Sequence, residues 1–159
     1  MIFDGDKLLD TFVSLPAIIE TYFKNIPAAA LDRKRSADAW TIREHLYHIA
    51  GVQKMLYGRL KTIRDEDDPV IKPYFPDEET ENSPFFDSIE KALEHYKACR
   101  NEQLLLIRQL TGSDYEKEAV HKEYTNYSIP ILINHMIFHE YWHMYRIEEL
   151  WLTRDEFFT

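Results

Sequence analysis

Three histidines stand one helical turn apart in the segment NHMIFHEYWHMYRIEEL: His135, His139 and His143. At about 100° per residue, His139 and His143 straddle the line from Leu132 to Leu150, which puts them at the centre of an inward stripe. Two neutral imidazoles at i and i+4 lie side by side and can reach one ion with bonds of about 2.0 to 2.1 Å. Burying both costs desolvation for each unless both are bonded, and a shared ion satisfies the two together. A single inward histidine more often packs and donates to a carbonyl or a tyrosine; the adjacent pair is what points to a metal. His135 and His143 are about 12 Å apart along the axis at ~1.5 Å per residue, so the three cannot readily serve one ion and one of them has another task.

A third ligand has to come from elsewhere, and AWTIREHLYHIAG offers His45 and His48. Periodicity does not choose between them: His45 lies nearer the middle of the apolar stripe, His48 at its edge beside Met55 and Arg59. The string from His139 to His143 also matches H-E-x-x-H, in which the glutamate of a zinc protease is the general base. Such enzymes need a further ligand well downstream, and only 16 residues follow His143. Glu140 lies about 100° from His139 on the helix, and the expectation is that it faces solvent. A di-iron bundle needs paired Glu-x-x-His elements, whereas only Glu140 and His143 show that spacing. Arg146, on the inner side, must find a carboxylate or a substrate anion and reads first as half of an ion pair; Gln53 and Gln103 read as satisfied core amides before cavity lining.

Helices must position these residues. Only four glycines occur, and no stretch alternates in period two. A first helix is expected from about Asp6 to Lys24, with Pro16 as a potential kink. A second is expected from an Asp38 cap through Trp40, Ile42, Leu46, Ile49, Gln53, Leu56, Leu60 and Ile63 to about Arg64. The acidic, proline-rich stretch that follows, to Ser83, is long enough for a crossover that leaves two consecutive helices parallel. Ser83 and Pro84 form a cap-then-proline start to a third helix ending near Leu110. A short strand pair is expected within Ala119 to Tyr124. The fourth helix runs from a Ser128 cap, with Pro130 in its first turn, to about Leu152. The fold class is therefore all-α, a four-helix bundle, with residues 1–159 as one domain.

Composition narrows the partners. The 159 residues are 45% apolar, 14% aromatic and 30% charged, the balance of an ordinary globular chain. The formal charge of -9 repels nucleic acid and anionic lipid. Arg33, Lys34 and Arg35 read as a solvated loop beside acidic neighbours, with a phosphate contact as the lesser reading. A lone Cys99, an acidic N-terminal segment and no apolar run of about 18 residues predict a reducing, cytoplasmic setting without a membrane anchor. Tyr141, Tyr145 and Trp151 lie off the central stripe of the fourth helix and suggest a homodimer.

The segments DAWTIREHLYHI and NHMIFHEYWHMYRI resemble the two signatures of the DinB-like superfamily of metal-binding bundles. In that family a tryptophan followed by Ser or Thr opens the second helix, and a histidine eight residues later is the first ligand; here that is His48. The other ligands form a His-x-x-x-His pair late in the last helix, here His139 and His143, followed by Arg146 and Ile147. Relatives often carry glycine two residues after the final histidine, where this chain has Tyr145, a side chain expected to narrow the approach. The resemblance implies a metal site of His48, His139 and His143 for zinc or nickel, with iron or manganese as further candidates. It implies a metal-dependent hydrolase or an enzyme that transfers a small thiol; a non-catalytic stress or structural module is the competing reading.

Overall fold

The computed structural model describes residues 5–73 and 86–157. Its helices are α1 (Gly5–Lys24), α2 (Ile42–Gly51), α3 (Gln53–Asp65), α4 (Ile89–Ile107), the short α5 (Gly112–Glu116) and α6 (Ile129–Leu152), with two short strands, β1 (Val70–Ile71) and β2 (Val120–His121). Pro16 lies inside α1, which runs through it unbroken.

The expected second helix is two segments, and Asp38 does not start it. Thr41 is the cap, because Thr41-x-x-Glu44 closes a capping box: the Thr41 hydroxyl accepts from the Glu44 amide at 3.1 Å, and the Thr41 amide donates to the Glu44 carboxylate at 2.7 Å. Two orphan donors are thereby satisfied at once, which an aspartate three residues earlier cannot do. Trp40 consequently sits ahead of the helix rather than on it. The division at Val52 coincides with the Gln53 side-chain amide donating to the Ile49 carbonyl at 2.9 Å, so a side chain enters the backbone ladder there. α4 starts later than expected, at a Ser88 cap that accepts from the Lys91 amide at 3.2 Å; Ser83 and Pro84 lie outside the described residues. α6 matches its expected limits, with Ser128 as cap and Pro130 in the first turn.

Cross-helix contacts give the directions. Tyr47 meets Phe86 and, further along, Gln53 meets Gln103, so α2–α3 and α4 run the same way. His45 meets His143, Gln53 meets Glu140 and Arg59 meets Tyr127, so α6 runs against α2–α3. Phe12 with Arg100 and Glu20 with Lys97 set α1 against α4. The chain between α3 and α4 therefore returns to the starting end, the crossover the long connection predicts. β1 and β2 pair in parallel, Val70 with Val120 and Ile71 with His121, and tie the segment after α3 to the one between α5 and α6. A strand does fall within Ala119 to Tyr124, but its main partner is the crossover rather than its own neighbour.

Phe12, Leu15 and Ile19 of α1, Ile42, Leu46, Ile49, Leu60 and Ile63 of α2–α3, Ala92 and Tyr96 of α4, and Ile129, Leu132, Met136 and Ile147 of α6 are fully buried in one cluster. Removing that apolar area from water, at about 25 cal/mol per Å², is what holds the helices together. No helix among the described residues is long and apolar enough to cross a membrane.

Candidate metal centre

α2 and α6 meet at the end of the bundle where α2 begins and α6 nears its close. The crossing brings His48 Nε2 to 3.1 Å from His139 Nε2, and His143 Nε2 to 3.1 Å from the same atom. The three ligand atoms lie within 4.8 Å of one another. His143 is buried, and His48 and His139 are half-buried.

This donor set fits a metal ion on chemical grounds. His139 Nε2 is in contact with two other ring nitrogens, yet a neutral imidazole nitrogen offers one proton or one lone pair, so hydrogen bonding satisfies one contact cleanly and leaves the other. The rings are also in the right protonation state. Burial pushes His48 down to about 4 and His139 to about 3, the latter helped by His48 and His135. His143 is held lowest, at about 2, by burial and then by His139, His48 and His45. Lone pairs are therefore available at neutral pH.

His45, nearer the stripe centre, is not one of the three. Its Nδ1 lies 2.8 Å from His143 Nδ1, buried on the far side of that ring. If His143 Nε2 serves as a ligand, its Nδ1 carries the proton and donates to His45, which fixes both tautomers. His135 stays apart, its Nδ1 3.1 Å from the Tyr124 hydroxyl while its ring stacks on His139 at 6.2 Å. The buried Nδ1 of His139 has no hydrogen-bond partner among the described residues.

Glu140 does not face solvent, contrary to the expectation from the helix wheel. It is fully buried and accepts from Gln53 at 3.0 Å, from the Tyr96 hydroxyl at 2.8 Å and from Arg100, whose guanidinium also donates to the Phe12 carbonyl. Gln103 donates to Gln53 and both are core amides, but the expectation of satisfied amides holds for Gln53 alone, since the buried Oε1 of Gln103 has no hydrogen-bond partner among the described residues. A carboxylate so occupied is not free to act as a protease's general base. Arg146 does form the expected ion pair, with Glu149.

In front of the imidazoles opens a cavity of about 550 Å³, lined by His45, His48, His139 and His143 together with Arg35, Ala39, Trp40, Trp142, Arg146 and Leu150. Trp40 stacks on His143 at 5.8 Å with 13° between the planes, and approaches His48 at 5.0 Å. Tyr145 is exposed and does not line the cavity, so it leaves the approach open. Arg35, expected in a solvated loop, lines it. Arg33 caps the end of α6 through the Thr153 carbonyl at 2.9 Å and pairs with Asp155. Trp142 gave no signal as a site residue, because it belongs to no ligand spacing, and Arg35 gave only the lesser reading of its basic cluster as an anion contact.

The family model of the DinB superfamily matches residues 11–153. This chain belongs to the DinB superfamily. A relative in Oceanobacillus iheyensis, named as a candidate metal-dependent hydrolase, is 28% identical over 160 aligned positions, covering 96% of this chain and 93% of that protein. Another of the same description, from Bacillus pumilus, is 24% identical over 71% of this chain and 65% of its own length. The fold is similar to that of YfiT from Bacillus subtilis, described as a candidate metal-dependent hydrolase with an unusual four-helix bundle topology. The TM-score is 0.80 at 20% identity, over 94% of this chain and 88% of that one. At that identity the likeness shows the shared fold.

Proposed function

We propose that this DinB protein binds one divalent metal ion through Nε2 of His48, His139 and His143 and is a metal-dependent hydrolase, with small-thiol transfer as the alternative on the same site. The observation that carries the reading is the double contact of His139 Nε2, which a shared ion satisfies and hydrogen bonds do not. When bound, such an ion supplies Lewis acidity and so a nucleophile, water or thiol, at neutral pH. Three protein nitrogens beside an open cavity leave coordination positions for substrate, the arrangement of a catalytic rather than a sealed structural site. Nitrogen donors of this kind suit zinc and nickel first, with iron and manganese behind. The chain's own residues hold the rings: His45 orients His143, and Trp40 stacks on His143 and packs at a tilt against His48.

The likeness to candidate metal-dependent hydrolases favours hydrolysis, and a small-molecule substrate fits the cavity. We further propose a homodimer formed through α6, whose outer face exposes Phe138, Tyr141, Trp142 and Tyr145 at i, i+3, i+4 and i+7. Trp151 is not part of that face, since it packs edge-on against Tyr22 at 5.6 Å. A cytoplasmic setting completes the reading.

Elemental analysis of untagged protein, beside His48→Ala and His139→Ala variants, tests the site. The expected result is near-stoichiometric metal in the wild type and its loss from both variants. A wild type that carries no metal and takes up none of zinc, nickel, iron or manganese sinks the proposal.

A further inference from the structure

The ionised side chains lining the cavity in front of the histidines are both cationic: Arg35 and Arg146. The imidazoles there are neutral, and the remaining walls, Trp40, Trp142, Ala39 and Leu150, are apolar or aromatic. A single carboxylate, Glu149, serves both guanidiniums: it pairs with Nη1 of Arg146 and stands 4.0 Å from Nη1 of Arg35. Glu149 does not line the cavity. Two positive groups sharing one negative group leave the mouth with an excess of positive charge, in a chain whose formal charge is -9.

This is an unusual place for guanidiniums that serve structure alone. Arg35 has no hydrogen bond among the described residues, and the rest of the Arg146 fork is equally uncommitted. The Arg146–Glu149 pair is part-exposed, with side chains 33% and 24% accessible, so it contributes little to stability and is readily exchanged for another anion. The planar fork of arginine matches a carboxylate or phosphate with two parallel hydrogen bonds. Arg146 follows His143 by three residues, which sets it about 4.5 Å further along the axis at ~1.5 Å per residue.

We propose that the cavity selects a small anionic substrate, whose carboxylate or phosphate group is held by Arg146 and Arg35 while its body lies against Trp40 and Trp142. The charged end then sits one helical turn beyond the imidazoles, and the reacting bond is directed at them. The inference rests on the metal-site reading for the reacting end, but its anion recognition is independent of any ion.

Calorimetric titration of the full chain, zinc-loaded and again metal-free, with phenylacetate, phenyl phosphate and the uncharged phenylacetamide tests it. At least one of the two anions is expected to bind about tenfold more tightly than the amide, the value of one charge-assisted hydrogen bond of about 1.4 kcal/mol. Arg146→Gln and Arg35→Gln each reduce that preference, and the double variant brings it to within about twofold while amide binding is unchanged, which also shows that the cavity has kept its shape. Which anion binds better identifies the headgroup. No preference over the amide in the wild type overturns the proposal. So does a preference that persists in the double variant, which would place the anion on the ion itself. Failure of zinc to bind the wild type counts against the metal reading, and the metal-free titration then decides this one alone.

Discussion

His45 shows how much a single side chain depends on what stands across from it. On the helix wheel it lies nearer the centre of the apolar stripe than His48, yet its Nδ1 is spent on His143 Nδ1 at 2.8 Å, and it is His48 whose Nε2 reaches His139 Nε2, at 3.1 Å. Such a partner raises the basicity of a ligating imidazole and holds its ring in place, and losing it typically costs about 10- to 100-fold in metal affinity. A His45→Phe variant is therefore expected to keep one zinc at saturation but to bind it about 10- to 100-fold more weakly by chelator competition, and His45→Gln to recover part of the loss. Weaker folding with unchanged zinc affinity would make His45 a packing residue only. Glu140 teaches the same lesson in reverse: its neighbours in sequence are candidate ligands, but Arg100, Tyr96 and Gln53 reach it from other helices and hold it in the core.

At the scale of elements, α6 presents two unlike faces. Its inner face carries Leu132, Met136, His139, His143, Ile147 and Leu150 toward the core and the site. Its outer face leaves Phe138 62%, Trp142 55% and Tyr145 57% exposed, a continuous aromatic stripe rather than scattered apolar residues. If that stripe is a dimer interface, light scattering of the purified chain gives twice the mass of 19.1 kDa, and a Phe138→Glu, Tyr141→Glu variant gives the single mass with its helical content intact. A wild type that is monomeric at all concentrations defeats the dimer. The capping box at Thr41 has its own role here, because it fixes where α2 starts and hence which of its turns faces α6.

For the whole molecule, burying this many imidazoles at one end couples folding to pH. Burial lowers His45 and His48 to about 4 and His139 to about 3, against an ordinary value of 6.5. The unfolded chain then binds more protons than the folded one below 6.5, so this part of the stability is complete above that pH and is lost as pH falls toward about 4. The urea midpoint of the metal-free chain is expected to drop between pH 6.5 and 4.5, before the carboxylates held low by ion pairs, such as Glu20, begin to protonate. Burial pushes Glu140 up, which works in the opposite sense, so the control is a His139→Phe variant, whose slope in that window is shallower. A midpoint flat across the window in the wild type would show that these rings are not held neutral by folding.

The sequence alone determined the helical class, the limits of α6, the crossover and the three candidate ligands, because each is written in short-range terms: apolar period, cap chemistry, loop length, and the spacing of His139 and His143 joined to a family signature at Trp40 and His48. It did not reveal that Thr41 rather than Asp38 caps α2, that Gln53 interrupts α2–α3, or that Glu140 is buried. Those depend on reciprocal hydrogen bonds and on partners many residues away, which periodicity cannot represent. The cavity belongs wholly to the tertiary structure: Arg35 comes from a loop before α2 and Arg146 from the end of α6, and only the packing of the bundle brings them to one mouth.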